Sequence, residues 1–207
     1  MNRLLLCLLL LALALPVLGQ TASDYYGTAE SKSLHGDEKS AIAFYTKALE
    51  VNPNYFDAYI GRASSRVAIK DYKGAIEDCT RALALDSHSL VAWYLRGVSR
   101  SGQEDYIGSI EDFNEFISRG SADHLAGANS IGYLRRGISK KMLFDYRGAD
   151  LDLTMAIGRG SSTGEAFLNR GIARMHMGLT IDGCRDLSIA EKKGEKEAHE
   201  MIVQYCK

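Results

Sequence analysis

The stretch that decides the fold is Ala41–Pro53, Ala-Ile-Ala-Phe-Tyr-Thr-Lys-Ala-Leu-Glu-Val-Asn-Pro. It sets a small residue at Ala41, an aromatic at Tyr45, a second small residue at Ala48 and a proline at Pro53. The small–bulky–small frame returns 34 residues on, at Ala75, Cys79 and Ala82. It returns again at Ser109, Phe113 and Phe116 (Phe116 in place of the second small residue), at Ala149, Leu153 and Ala156, and at Gly183, Leu187 and Ala190. A fixed period of this length marks a repeat architecture, in which each unit is one supersecondary element.

Columns outside that frame test the register. Counting each unit from Ala22, Phe56, Leu90, Ser130 and Gly164, position 4 is Tyr25, Tyr59, Trp93, Tyr133 and Phe167. Position 8 is Ala29, Ala63, Gly97, Gly137 and Gly171. Position 16 is Asp37, Asp71, Asp105 and Asp145, with Leu179 departing. Small residues at 8 and 20 let two helices approach closely. Aspartate at 16 is placed to cap a second helix. Asn52, Asp86, Gly120, Gly160 and Gly194 at position 31 are types that tolerate the left-handed backbone ending a helix. Phe116 calls for looser or rearranged packing in the third unit.

These columns resemble the tetratricopeptide repeat, a helix–turn–helix unit, and the chain is similar to exported bacterial proteins of that family. The resemblance covers units 22–55, 56–89, 90–123, 130–163 and 164–194, with six extra residues at 124–129. It implies an all-α, right-handed α-α solenoid of five helix pairs. Residues 195–207 place Ala198, Ile202 and Tyr205 at helical spacing, as expected of a capping helix over the last apolar face.

The resemblance also implies function: stacked units leave an extended concave surface for a protein or peptide. In the family that surface is lined by first-helix positions 2, 5, 9, 12 and 13. Here they include Ile60, Ser64, Val67, Tyr94, Val98, Leu134, Ile138, Met142, Leu168, Ile172 and Met175. The lining is apolar and suits an amphipathic helix or an extended apolar segment; the alternative is that such residues pack against the adjacent unit or the cap. The Lys and Asn with which some relatives clamp a chain-terminal carboxylate are absent from positions 5 and 9. Self-association through the uncapped face of unit 1 is the second functional reading.

A polar column repeats as well. Arg62 and Asp78, Arg96 and Asp112, Arg136 and Asp152, and Arg170 and Asp186 share one offset of 16 residues, linking the two helices of a unit. Four copies favour an internal ion pair that sets helix register over a partner-facing ladder. Half-exposed pairs of this kind contribute up to about 1 kcal/mol.

Little points to catalysis. Gly160-Ser161-Ser162-Thr163-Gly164 matches the letters of a hydrolase nucleophile elbow, but that motif needs a preceding strand, and here it falls between helices. The histidines show no zinc-ligand spacing and no phosphate-cradling loop occurs, so no cofactor or metal is expected. With a formal net charge of −1 and no Lys/Arg run, the chain offers no nucleic-acid surface.

Residues 1–19 read as a cleaved secretory signal. Arg3 precedes the Leu/Ala run from Leu4 to Leu15, then Pro16 and Val17-Leu18-Gly19 form a cleavage region. The run is shorter than the ~20 residues that span a bilayer. An uncleaved anchor is the alternative, and any membrane contact comes through this segment. Export places the chain in the periplasm, the envelope or outside the cell, where cysteines can pair. Of Cys79, Cys184 and Cys206, Cys79 stands at a core position. Cys184, on the last repeat helix, and Cys206, at the end of the cap, are a candidate disulfide or two separate thiols.

Overall fold

The computed structural model describes residues 20–122 and 126–206. The signal-peptide reading of residues 1–19 lies outside the described residues. Those residues form eleven helices and no strand: α1 (Ala22–Leu34), α2 (Glu38–Val51), α3 (Phe56–Ala68), α4 (Tyr72–Leu85), α5 (Leu90–Gly102), α6 (Tyr106–Ala122), α7 (Ala126–Met142), α8 (Tyr146–Gly158), α9 (Gly164–His176), α10 (Thr180–Lys192) and α11 (Lys196–Tyr205).

Each helix packs on the next in the chain. In addition, α1, α3, α5, α7 and α9 touch one another in series. The first helices of the units therefore line one common face, and the second helices lie behind them.

Local chemistry explains the boundaries. Asp37, Asp71, Asp105 and Asp145 each accept a hydrogen bond from a backbone N–H three residues on, at 3.3, 3.1, 2.9 and 2.9 Å, which satisfies an orphan donor of the second helix. Leu179 gives α10 no such cap. The left-handed backbone, however, sits elsewhere than position 31 implies. Asn52 and Asp86 are extended, and their side chains accept from the N–H groups of Asn54 and His88, so an Asx turn ends these helices. Gly120 lies inside α6, and only Gly160 and Gly194 carry positive φ there. The column that turns left-handed in every unit is position 15: Gly36, Lys70, Glu104, Phe144 and Gly178.

Of the extra residues between the third and fourth units, Ala126–Asn129 belong to a longer α7, and α6 runs on to Ala122. α6 and α7 have 17 residues each, against 13 or 14 in the other repeat helices. Phe116 is accommodated by rearrangement, not by looser packing. Elsewhere Ala48 meets Ala58, Ala82 meets Ala92 and Ala156 meets Ala166 in shared buried clusters. Opposite Phe116 stands Gly132, where a Cβ would come within 2.7 Å of the ring. The large residue on one helix is matched by a missing side chain on its neighbour, which keeps the interior close-packed.

Candidate functional site: the concave groove

The repeated charges belong to the interior. Asp78, Asp112, Asp152 and Asp186 are almost fully buried. Arg62, Arg96, Arg136 and Arg170 bind them at 2.6, 2.8, 2.7 and 2.7 Å. The sequence reading missed a second cation one helical turn further on, at position 11. Arg66, Arg100, Lys140 and Arg174 reach the same carboxylates at 2.7, 3.1, 2.8 and 2.9 Å. Each position-7 arginine also donates to position 25 of the preceding unit, at Thr46, Thr80, Asn114 and Thr154. These groups thus couple the helices of a unit and couple units to each other. Burial pushes the Asp112 carboxyl up from its ordinary pKa, against the pull of Arg96 and Arg100. A half-exposed pair worth about 1 kcal/mol is therefore the wrong picture; breaking a buried set of this kind costs about 3–5 kcal/mol.

With these charges consumed inside, the shared face of the first helices is open to a ligand; hollows of about 400 Å³ also lie under Tyr59, Arg81 and Leu85 and beside Gly178–Asp182. Three hollows follow one another along the shared face. The first, about 210 Å³, is lined by Tyr94, Val98, Ser101, Phe113, Arg135 and Ile138. The second, also about 210 Å³, lies between α7 and α9 under Lys141, Met142, Phe144, Tyr146, Ile172 and His176. The third, about 160 Å³, is closed by the cap, through Met201 and Tyr205 against Met175 and His176. Ile138 lies one helical turn before Met142, and His176 is shared by the second and third hollows. The run is therefore continuous.

Tyr94, Val98, Ile138, Met142, Ile172 and Met175 from the sequence reading line these hollows. The others do not join them. Ile60 packs against the Leu83–Ala92 cluster, Leu134 sits in the core beside Leu153, and Leu168 is covered by the cap with Ala198 and Met201. Ser64 is exposed and lines none of the three. Ser101, Lys141 and His176 occupy positions 12 and 13 of the groove frame, so the frame reaches them where an apolar reading does not. Arg135, Phe144 and Tyr146 lie outside those positions.

The groove is less apolar than its composition implies. Arg135 pairs with Glu165 at 2.8 Å. Burial opposes its charge, but Glu165 and Tyr94 outweigh that and hold its pKa above the ordinary value. Lys141 is different: burial lowers its pKa, and Glu197 and Glu165 offset this only in part.

The remaining candidates find structural places. Thr163 caps α9 by accepting from Ala166, and Gly160 takes a positive φ, so the Gly160–Gly164 segment is a helix–helix turn. Cys79 is fully buried, and desolvation pushes its thiol pKa up to about 12. Cys184 and Cys206 are joined in a disulfide with a Cα–Cα distance of 5.7 Å, tying the end of α11 to α10. Among the described residues no group of three or more His, Cys, Asp or Glu is placed to hold a metal ion. No helix among them is long and apolar enough to cross a membrane.

Helix pairs stacked in series, with first helices lining one face, define an α-α solenoid. The family model for the tetratricopeptide repeat matches residues 29–55, and the chain has the fold of a tetratricopeptide-repeat solenoid. Similar solved structures include MamA, at 21% identity and a TM-score of 0.71 over 83% of this chain and 96% of that one. YrrB, described as a TPR protein with an unusual peptide-binding site, aligns at 18% identity and 0.71 over 88% of this chain and 92% of that one. PilF from Pseudomonas aeruginosa aligns at 18% identity and 0.73 over 87% of this chain and 80% of that one. At these identities the likeness is one of fold. A comparison with curated protein sequences found no match.

Proposed function

We propose that the chain is a non-catalytic scaffold that holds an extended segment of a protein partner in its concave groove, and that it does so in the cell envelope or outside the cell. One observation carries the binding reading: the groove is a continuous run of three small hollows of 160–210 Å³ each. Small-molecule and cofactor sites are single cavities of roughly 300–1,000 Å³. A row of smaller ones suits successive side chains of a peptide. The binding of peptides by YrrB, as its description has it, supports the same kind of partner. The exported location rests on the signal-like residues 1–19 and is supported by the Cys184–Cys206 bond, since disulfides persist in oxidising compartments.

The test is site-specific photo-crosslinking in the native host, with the crosslinker at Tyr94 in the first hollow or at Arg81 on the exposed side of α4. A discrete partner captured from Tyr94 alone is the expected result, and Tyr94→Ala with Ile138→Asp should abolish it while helicity is kept. Capture of the chain itself, or equal capture from both sites, would replace the groove by self-association or an outer-face contact. Fractionation of the same cells checks the location: a chain retained in the cytoplasm with residues 1–19 intact overturns export.

A further inference from the structure

The middle hollow has features the rest of the groove lacks. Phe144 at its rim is 76% exposed and is held at φ 62°, in the left-handed region. The same position carries Gly, Lys or Glu in the other four units. The left-handed turn itself is common to all five units; what is particular here is that it carries a large, exposed apolar side chain. Phe144 meets Tyr146 edge to face at 6.2 Å, and Tyr146 stacks on His176 at 4.3 Å with planes 4° apart. The rim is thus a fixed run of three rings spanning units 4 and 5.

Lys141 stands in the same hollow. No carboxylate of the described residues lies within 4.0 Å of its ammonium; Glu197 and Glu165 act on it from further off, and Glu165 is engaged by Arg135. Its neighbours on α7, Arg135 and Lys140, are each paired, to Glu165 and Asp152. A partly desolvated cation whose carboxylate neighbours stand beyond ion-pair distance, beside an aromatic rim, has its own complement: a carboxylate attached next to a large apolar side chain.

We propose that the hollow between units 4 and 5 is a specificity subsite for a peptide carrying a carboxylate adjacent to an aromatic or large aliphatic side chain. The carboxylate pairs with Lys141. The apolar side chain enters against Tyr146, Ile172 and His176, under Phe144. The carboxylate is that of an Asp or Glu side chain or of the chain terminus. This deepens the groove reading above and rests on it.

The experiment is affinity selection from a library of free short peptides on the purified protein, followed by anisotropy titration of the selected sequences. Selected peptides should share a carboxylate next to an apolar residue. Lys141→Gln should weaken them about tenfold, the scale of one charge pair freed of water, while Lys141→Arg retains most of the affinity. Phe144→Gly should weaken them several-fold without loss of fold, because glycine suits the left-handed backbone. Amidating the terminus, or exchanging the acidic residue for its amide, separates the two carboxylate sources. If Ile138→Asp weakens the selected peptides but Lys141→Gln and Phe144→Gly do not, the subsite is overturned and the groove stands. If Lys141→Gln weakens peptides without a neighbouring carboxylate equally, the pairing is overturned. If no peptide is selected at all, the groove reading falls and the subsite with it.

Discussion

The two ends of the solenoid are finished by different chemistry. Unit 1 has Thr28 and Phe44 where the other units place Arg and Asp at positions 7 and 23. Its helices are held by aromatic contacts, Tyr26 to Tyr45 at 5.7 Å and Tyr26 to Tyr55 at 5.2 Å, and by the Tyr45 hydroxyl donating to Glu30. Unit 5 keeps the buried carboxylate, with Asp186 between Arg170 and Arg174, and adds a disulfide to the cap. The position-7 arginine bonds to position 25 of the unit before it. In unit 1 the residue at position 7, Thr28, donates to the Asp24 carbonyl of its own helix instead. The comparison teaches that the polar column is a coupling device between units rather than a property of each unit alone. Open stacks depend on such nearest-neighbour terms.

The sharpest way to break the comparison is to remove one carboxylate at each end. Asp186→Ala leaves two arginines facing each other in a nearly closed site and should lower the unfolding free energy by about 3–5 kcal/mol. Glu30→Gln keeps a weaker hydrogen bond to Tyr45 and should cost about 1–2 kcal/mol. Denaturant titration followed by circular dichroism measures both, and equal losses would erase the distinction. Next in size is the double change Cys184→Ser with Cys206→Ser. Opening a link across 22 residues should cost roughly 3 kcal/mol in the chain-entropy view. Amide exchange should quicken in α10 and α11 and leave α1 and α2 unchanged; a uniform quickening would contradict a local staple.

The smallest effect is a pH dependence confined to unit 1. Desolvation, with Glu30 beside it, raises the Tyr26 pKa to about 12, and burial moves Tyr45 in the same direction. The native state then keeps protons that an unfolded tyrosine loses near pH ~10. That stability is complete below pH ~10 and is lost as the pH rises toward about 12, so alkaline unfolding should begin at unit 1. Absorbance titration should show a late-titrating fraction of the tyrosines that Glu30→Gln moves earlier. A single wave near the ordinary value, with helicity intact, would exclude it.

Much of the fold was legible because a repeat tests itself. The spacing of Ala41, Tyr45 and Ala48 could be checked against four later copies and against the position-16 caps, all before any contact was known. Groove residues were less legible, because apolar residues on a first helix have two destinations. Leu134 and Leu168 read the same as Ile138 and Ile172 along the chain. The approach of α8 and of the cap sends the first two wholly into the core, while Ile138, and Ile172 although it too is buried beside Leu168, keep a wall on the hollows.

By itself the sequence determined the period, the helix pairs, the capping aspartates and the pairing of positions 7 and 23, because each is a local pattern that recurs. Tertiary structure alone decided that Asp78 and its equivalents are shared by two cations and that Gly132 makes room for Phe116. It alone also brought Phe144 and Lys141 to the wall of one hollow. Those facts depend on which surfaces neighbouring units bring together, and spacing along one helix carries no record of what lies across from it.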